Sequence, residues 1–203
     1  MLADLEHLID AVEQIIAQTR LRLAGVMPES KTRRVSLFDG DARPIRKGSL
    51  AKPTQFGYTG QVTDNPDGIV LDYELEAGIP PDGPRLGPAI ERIIAAVGAT
   101  PDAVTADRGY GLASVDTQLE DLGVDLVAIP RKGQPGTARR DAQSEDRFVE
   151  LVKWRTGSEG RIATLKRQHG WERARNRGLE GARIWCGWGV LSHNLVKIAG
   201  LTH

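Results

Sequence analysis

A glutamate with basic neighbours at helical spacing is the first feature of this sequence that could do chemistry. Glu159 lies four residues after Arg155 and seven residues before Lys166, with Arg161 between them. In a helix, this spacing places Arg155, Glu159 and Lys166 on one face. A carboxylate flanked by cations is suited to holding a divalent metal ion beside a phosphate backbone. A solvated helix face with ion pairs four residues apart fits the same spacing, so the spacing leaves both interpretations open.

A second acid follows a short apolar run. Residues 103–106 predict a strand, Asp107 ends it, and Gly109 and Gly111 mark a turn before a helical pattern over residues 112–122. Open α/β sheets bind their ligands at the carboxyl ends of strands. Asp107 is therefore a candidate ligand or catalytic acid, although a carboxylate at this position could also cap the next helix.

The rest of the pattern predicts the elements that would position these acids. Turns rich in Pro and Gly separate segments with helical or alternating periodicity. We predict helices over residues 2–23, 86–97, 112–122, 144–154, 154–171 and 179–201, and strands over residues 57–64, 69–75, 104–107 and 126–129. The turn at residues 65–68 makes the first two strands a hairpin, and the short strand–helix–strand unit makes the last two a parallel pair. A helix irregularity is expected at Gly157, and the order of elements predicts an α/β fold.

Positive charge is concentrated in the second half of a chain that has no net charge. Residues 1–130 contain 12 Lys and Arg against 20 Asp and Glu, whereas residues 131–183 contain 14 against 7. Such an asymmetry is typical of a nucleic-acid-binding surface. Arg131 and Lys132 occupy a loop rich in Gly and Pro after the last predicted strand, where they could hold phosphate. An ordinary solvated loop has the same composition.

Length and composition indicate one sizeable globular domain, with or without a short arm. The chain has 203 residues, 40% of them hydrophobic, and a single cysteine, Cys186, so an internal disulfide is excluded. No apolar run reaches the length needed to span a bilayer, and the N-terminus lacks a signal-peptide pattern. We therefore expect a cytoplasmic protein with no membrane partner.

The two acidic stretches together resemble the DDE transposases of bacterial insertion sequences. The Asp-Arg-Gly-Tyr segment that begins at Asp107 matches the surroundings of the second acid in that family. Arg155, Glu159 and Lys166 match the family's Arg-(3)-Glu-(6)-Lys spacing around the third acid. Val152 stands where the family often has a tyrosine, three residues before the arginine.

The resemblance extends from about residue 35 to residue 201 and carries expectations for fold and chemistry. It implies a ribonuclease H-like mixed sheet flanked by helices, preceded here by an N-terminal helix. It also implies that Asp107 and Glu159 are catalytic and bind Mg²⁺ or Mn²⁺, and that transposon ends and target DNA are the partners. The residues expected to contact DNA are Arg155, Lys166, Arg161, Arg131 and Lys132. The expected organisation is a helix at residues 1–25, a linker or loop at 26–56, and the C-terminal part of the catalytic domain at 57–203.

The family's first catalytic acid has no evident counterpart in this sequence. In the family, an Asp-X-Asp-Ala-Arg segment such as the one that holds Asp39 and Asp41 lies after the first acid, which belongs to an earlier strand. No strand pattern precedes Val35, so we interpret Asp39 and Asp41 as a polar turn, with either one the remaining candidate for the missing ligand.

Two functions therefore remain for the chain. One is DNA transposition by a split or truncated transposase that lacks its first strand and need not be active by itself. The other is a catalytically inactive remnant that binds DNA or oligomerises. The predicted helix at residues 2–23 would pack against the core or against another chain.

Overall fold

The computed structural model describes residues 2–46 and 54–202, without the side chains of Ala3, Asp4, Ser158 and Glu159. The described ranges contain α1 (Leu2–Leu23), β1 (Arg43–Arg46), β2 (Thr54–Asp64), β3 (Val70–Ala77), α2 (Gly83–Val97), β4 (Ala103–Val104), α3 (Ala113–Asp121), β5 (Leu126–Val127), α4 (Thr137–Ser144), α5 (Asp146–Thr156), α6 (Ser158–Gln168) and α7 (Gly178–Leu201). A single 3-10 turn, Arg108–Tyr110, follows β4.

The described strands form two separate sheets. One has three strands in the order β1-β2-β3, and the other has two strands, β4 and β5. The chain divides into two compact units, and strands β2 and β3 and helix α7 each contribute residues to both. The first unit is Met1–Gln61, Glu74–Pro80 and Gly170–Gly189, and the second is Val62–Tyr73, Pro81–His169 and Val190–His203.

In the first unit, helix α1 lies along the segment that leads to β1. Ala11 is fully buried at this contact. The Gln14 side-chain amide donates to the Thr32 carbonyl at 2.8 Å. The Gln18 side chain accepts from the Arg34 N–H at 2.6 Å and donates to the Arg34 carbonyl at 3.0 Å. The two glutamines therefore satisfy backbone groups of a segment that has no strand partner of its own.

In the second unit, the core lies between helices α2 and α3 and the β4–β5 pair. The two strands are parallel, with Ala103 opposite Leu126 and Val104 opposite Val127. Leu119 and Ile129 are fully buried within this cluster. The core side chains are Leu86, Ile90, Ile93, Val104, Val115, Leu119, Val124, Val127 and Ile129. This packing fixes the two strand ends at which the candidate site lies.

The β2–β3 hairpin turn also belongs to the second unit, where it contacts the last half of α7. The Asn65 N–H binds the Ile69 carbonyl, and Gly68 adopts a positive φ of 81°. The Asn194 side chain on α7 accepts from the Val70 N–H and donates to the Val70 carbonyl. The hairpin end is therefore attached to α7 by a bidentate bond.

Most predicted elements are confirmed, and the α/β class is correct. Helix α1 has the predicted limits, β4 and β5 are parallel as predicted, and Gly157 separates α5 from α6. Helix α4 and strand β1 were not predicted, and β1 falls within the segment expected to be a linker. No helix in the described part of the chain is both long and apolar enough to cross a membrane.

Candidate nucleic-acid and metal site

Asp107 lies three residues beyond the carboxyl end of β4, and it is exposed. The Ala128 N–H donates to the Val104 carbonyl at 2.8 Å, and the Thr105 hydroxyl donates to the Ala128 carbonyl at 2.9 Å. The chain therefore stays extended beside β5 up to Asp107, whose φ and ψ are −63° and 153°. The Asp107 carboxylate does not cap the turn that follows, since no side-chain cap bond forms there. It is thus presented to solvent at a strand end.

Arg108 holds the loop that follows β5 against this strand end. Its Nε donates to the Arg131 carbonyl at 3.0 Å, and one terminal nitrogen donates to the Gly133 carbonyl at 3.3 Å. A Cβ at Gly111 would collide with the Pro130 carbonyl oxygen, so only glycine at this position lets the turn lie this close to the loop. The structure therefore brings Asp107 and the predicted phosphate-binding loop to the same edge of the β4–β5 pair.

Asp116 occupies a position behind the loop and binds two arginines. Its Oδ2 lies 2.8 Å from Arg131 and 3.2 Å from Arg139, and the carboxylate is almost fully buried. Arg139 also donates to the Ile129 carbonyl at 2.9 Å and covers the Phe148 ring. Arg131, which the sequence predicted as a DNA contact, thus forms an ion pair with a buried carboxylate. The neighbouring Lys132 is exposed.

Asp82 and Tyr110 are neighbours of the site that sequence reasoning did not assign to it. Asp82 stands at the N-terminal end of α2, but its side chain makes no cap bond there. Its Oδ2 instead lies 2.5 Å from the position that a Cβ on Gly109 would occupy, which is too close for a side chain there. Burial, followed by the negative charge of Asp82, raises the pKa of Tyr110 to about 12. Tyr110 therefore stays protonated at neutral pH. In the sequence, Gly109 is the one signal of the close contact between Asp82 and this turn.

Glu159 lies in the first turn of α6, but its side chain is outside the described residues. Gly157, between α5 and α6, keeps helical angles with φ −68° and ψ −22°, so the helical phase from Arg155 to Glu159 is nearly preserved. Arg155 is half-buried and Lys166 is exposed. That Glu159 and Asp107 bind the same metal ions stays a prediction.

Arg161, one turn from Glu159, is held by the end of β2. Its guanidinium forms an ion pair with Asp64 and lies over the Trp154 ring, with 5.0 Å from Cζ to the ring centroid. The side chains of Arg161 and Asp64 are 18% and 9% exposed. Burial lowers the pKa of Arg161 from its usual value. Like Arg131, Arg161 serves an internal contact, and that contact fixes α6 against the hairpin.

Asp39 and Asp41, in the first unit, are both engaged in local hydrogen bonds. One Asp39 oxygen accepts from the Tyr58 hydroxyl at 2.6 Å and from the backbone N–H groups of Asp41 and Ala42 at 3.2 Å. An Asp41 oxygen accepts from the Leu179 N–H at 3.0 Å. Burial, and then the Asp39 hydrogen bond, raises the pKa of Tyr58 above its usual value. These contacts are those of a polar turn, as the sequence indicated.

No three described His, Cys, Asp or Glu side chains gather closely enough to hold a metal ion. Glu159 is outside that comparison because its side chain is not described. Among the described acids of the second unit, Asp107 is exposed beyond the carboxyl end of β4, whereas Asp64, Asp72 and Asp116 are engaged by arginines.

Comparison with known proteins gives one match. A family model described as a transposase DDE domain matches residues 30–195. No curated protein and no solved structure matches the chain.

Proposed function

Because the chain belongs to the family of transposase DDE domains, we propose that it acts in DNA transposition, by metal-dependent cleavage of phosphodiester bonds at insertion-sequence ends and transfer of the cut strands. The observation that carries the proposal is the exposed Asp107 carboxylate at the carboxyl end of β4, beside a basic loop. Ligand sites of α/β sheets lie at such ends. The proposal includes a ribonuclease H-like core and, as partners, transposon ends and target DNA.

Asp107 and Glu159 are the proposed metal ligands. Their carboxylate oxygens suit Mg²⁺ or Mn²⁺, which are hard cations that prefer oxygen donors. A bound pair of such ions supplies activation of the attacking hydroxyl and stabilisation of the leaving oxygen. The third acid is Asp39 or Asp41, or else an acid outside this chain. The hydrogen bonds already made by Asp39 and Asp41 favour the last of these alternatives.

The chain's own basic residues divide into two groups with different roles. Lys132, Arg155 and Lys166 are proposed to contact the phosphate backbone, because their charges flank the two acids along the chain. Arg131 and Arg161 are proposed to hold neighbouring elements in place, because their guanidinium groups already bind Asp116 and Asp64. Arg131 then fixes the loop that carries Lys132, and Arg161 fixes the helix that carries Glu159.

Calorimetric titration with Mn²⁺ tests the metal site in the full 203-residue chain. We expect binding that is lost in Asp107→Asn and in Glu159→Gln. Asp102→Asn is the matched control, because Asp102 is an exposed acid at the opposite end of the same strand. Equal binding by the wild type, Asp107→Asn and Glu159→Gln would contradict the assignment. Absence of binding by the wild type would mean that an acid from another segment is needed.

The alternative is a catalytically inactive remnant that binds DNA. The engaged carboxylates of Asp39 and Asp41 are the observation that favours it, because they leave two acids rather than three for the metal. A duplex with a free 3′-hydroxyl end distinguishes the two functions. Mn²⁺-dependent joined products that vanish in Glu159→Gln support transposition. Salt-dependent DNA binding that persists in Glu159→Gln and in EDTA, without joined products, supports the remnant.

A further inference from the structure

Helix α1 carries an exposed apolar face with a strict heptad spacing. Every seventh position from Leu2 is Leu or Ile, and the positions three residues later are Leu5, Val12 and Thr19. Six of these seven side chains are apolar and exposed: Leu2 at 78%, Leu5 at 58%, Ile9 at 51%, Val12 at 45%, Ile16 at 44% and Leu23 at 84%. Three heptads of a and d residues form the seam of a coiled coil.

A different face of α1 contacts its own unit. Leu8, Ala11, Ile15 and Gln18 are the buried or half-buried residues of the helix. At 100° per residue they lie roughly 115° around the helix axis from the heptad seam. Contacts within the unit therefore do not use the seam. An apolar seam about 33 Å long that faces water is unfavourable for a lone helix.

Charges beside the seam indicate what covers it. Glu6 and Glu13 occupy the e positions in the first two heptads and Arg20 the e position in the third, and all three are exposed. In an antiparallel pair of helices, e positions face e positions, so Glu6 faces Arg20 of a second copy twice per dimer, and Glu13 faces Glu13 of the second copy once. In a parallel pair, e positions face g positions, which here are Leu8, Ile15 and Arg22. Leu8 would then face Glu13, Ile15 would face Arg20, and Arg22 would face a position beyond the end of α1, so no pair of opposite charges forms. The antiparallel pair thus has two attractive contacts against one repulsive contact, whereas the parallel pair has no attractive contact, so the charges favour an antiparallel partner with the same sequence.

We propose that α1 is a self-association surface, through which two copies of this chain pair as an antiparallel coiled coil. The register that pairs Glu6 with Arg20 also sets Val12 against Ile16 of the second copy and Leu5 against Leu23. A register shifted by one heptad would set Glu6 against Glu13, which is repulsive, or, in the other direction, Glu13 against Arg20 with loss of the Leu5–Leu23 contact. The arrangement is two-fold symmetric and closed, so it gives a dimer rather than a filament. The surface is independent of the proposed chemistry.

Analytical ultracentrifugation of the full chain tests the proposal. The wild type is expected to be a dimer that dissociates on dilution, and Ile9→Glu/Ile16→Glu a monomer. Ala17→Glu adds a charge to an exposed position outside the seam and is expected to leave the dimer intact. A monomeric wild type at the highest soluble concentration would overturn the proposal. So would a dimer that the double variant does not disrupt, because another surface would then hold it.

Charge exchange tests the orientation without altering the apolar seam. Glu6→Arg and Arg20→Glu should each weaken the homodimer about five- to tenfold, because each replaces attraction by repulsion. The double variant Glu6→Arg/Arg20→Glu should restore wild-type affinity, and an equimolar mixture of the two single variants should form heterodimers. These variants also cover the case in which Ile9→Glu/Ile16→Glu fails to fold. Single variants as tight as the wild type would exclude the antiparallel pairing.

Discussion

The Arg161 guanidinium pairs with the Asp64 carboxylate and thereby attaches helix α6, which carries Glu159, to the end of strand β2. Both side chains are largely buried, and a buried charge that loses its partner is costly. The sequence predicted Arg161 as a DNA contact. We propose that the pair positions the helix that carries Glu159, the proposed third acid.

Asp64→Asn is therefore expected to destabilise the protein. The substitution removes the charge of Asp64 from the largely buried Arg161 guanidinium, and we expect the free energy of unfolding to fall by about 2–3 kcal/mol. Denaturant titration followed by circular dichroism measures this change. Asp67→Asn is the control, because Asp67 is an exposed acid in the turn after β2. An equal effect of the two substitutions would show that the ion pair contributes nothing specific.

Arg131 and Lys132 are sequence neighbours with opposite expected effects. Arg131→Ala removes a partner from buried Asp116 and is expected to lower the free energy of unfolding by about 1–3 kcal/mol. Lys132→Ala removes an exposed charge, so stability should change by less than about 0.5 kcal/mol. If Lys132 contacts phosphate, the slope of log affinity against log salt concentration should fall by about 1 for Lys132→Ala. Denaturant titration and DNA binding at several salt concentrations measure both quantities.

The contrast between these neighbours shows where sequence reasoning reached its limit. Periodicity predicted α1, the hairpin, the parallel pair and the break at Gly157, because each rests on local spacing or on turn residues. It also placed Asp107 at a strand end. Local spacing does not reveal which basic residues meet an internal acid, since Arg131 meets Asp116 across 15 residues and Arg161 meets Asp64 across a much longer separation. Helix α4, with no buried side chain, and the four-residue β1 gave too weak a pattern to detect.

Gly111 is expected to be intolerant of substitution for steric reasons. Its φ of −73° is open to any residue, but an added methyl group would collide with the Pro130 carbonyl oxygen. Gly111→Ala must therefore separate the turn after β4 from the loop after β5, at a cost of about 1–3 kcal/mol. Gly136→Ala is the matched control, because nothing lies within 4 Å of its Cβ position. Thermal unfolding of both variants checks the prediction, and similar melting temperatures would contradict it.

His169 should make the stability of the protein depend on pH in the weakly acidic range. Its ring lies edge-on to buried His193, with 5.3 Å between the centroids, and its Nδ1 is 3.1 Å from the Ser192 hydroxyl. Burial, and then the neighbouring His193, lowers the pKa of His169 below its usual value of 6.5. The unfolded chain therefore binds a proton at a higher pH than the folded chain does. Stability is fully present above about pH 6.5 and declines as the pH falls toward the lowered pKa.

Thermal unfolding between about pH 7.5 and pH 5 measures this dependence. We expect the melting temperature to fall on acidification, and His169→Gln to remove part of the fall because glutamine does not titrate. His7→Gln is the control, since His7 lies on exposed α1. An unchanged pH dependence in His169→Gln, or an equal reduction in His7→Gln, would mean that the fall arises from other groups.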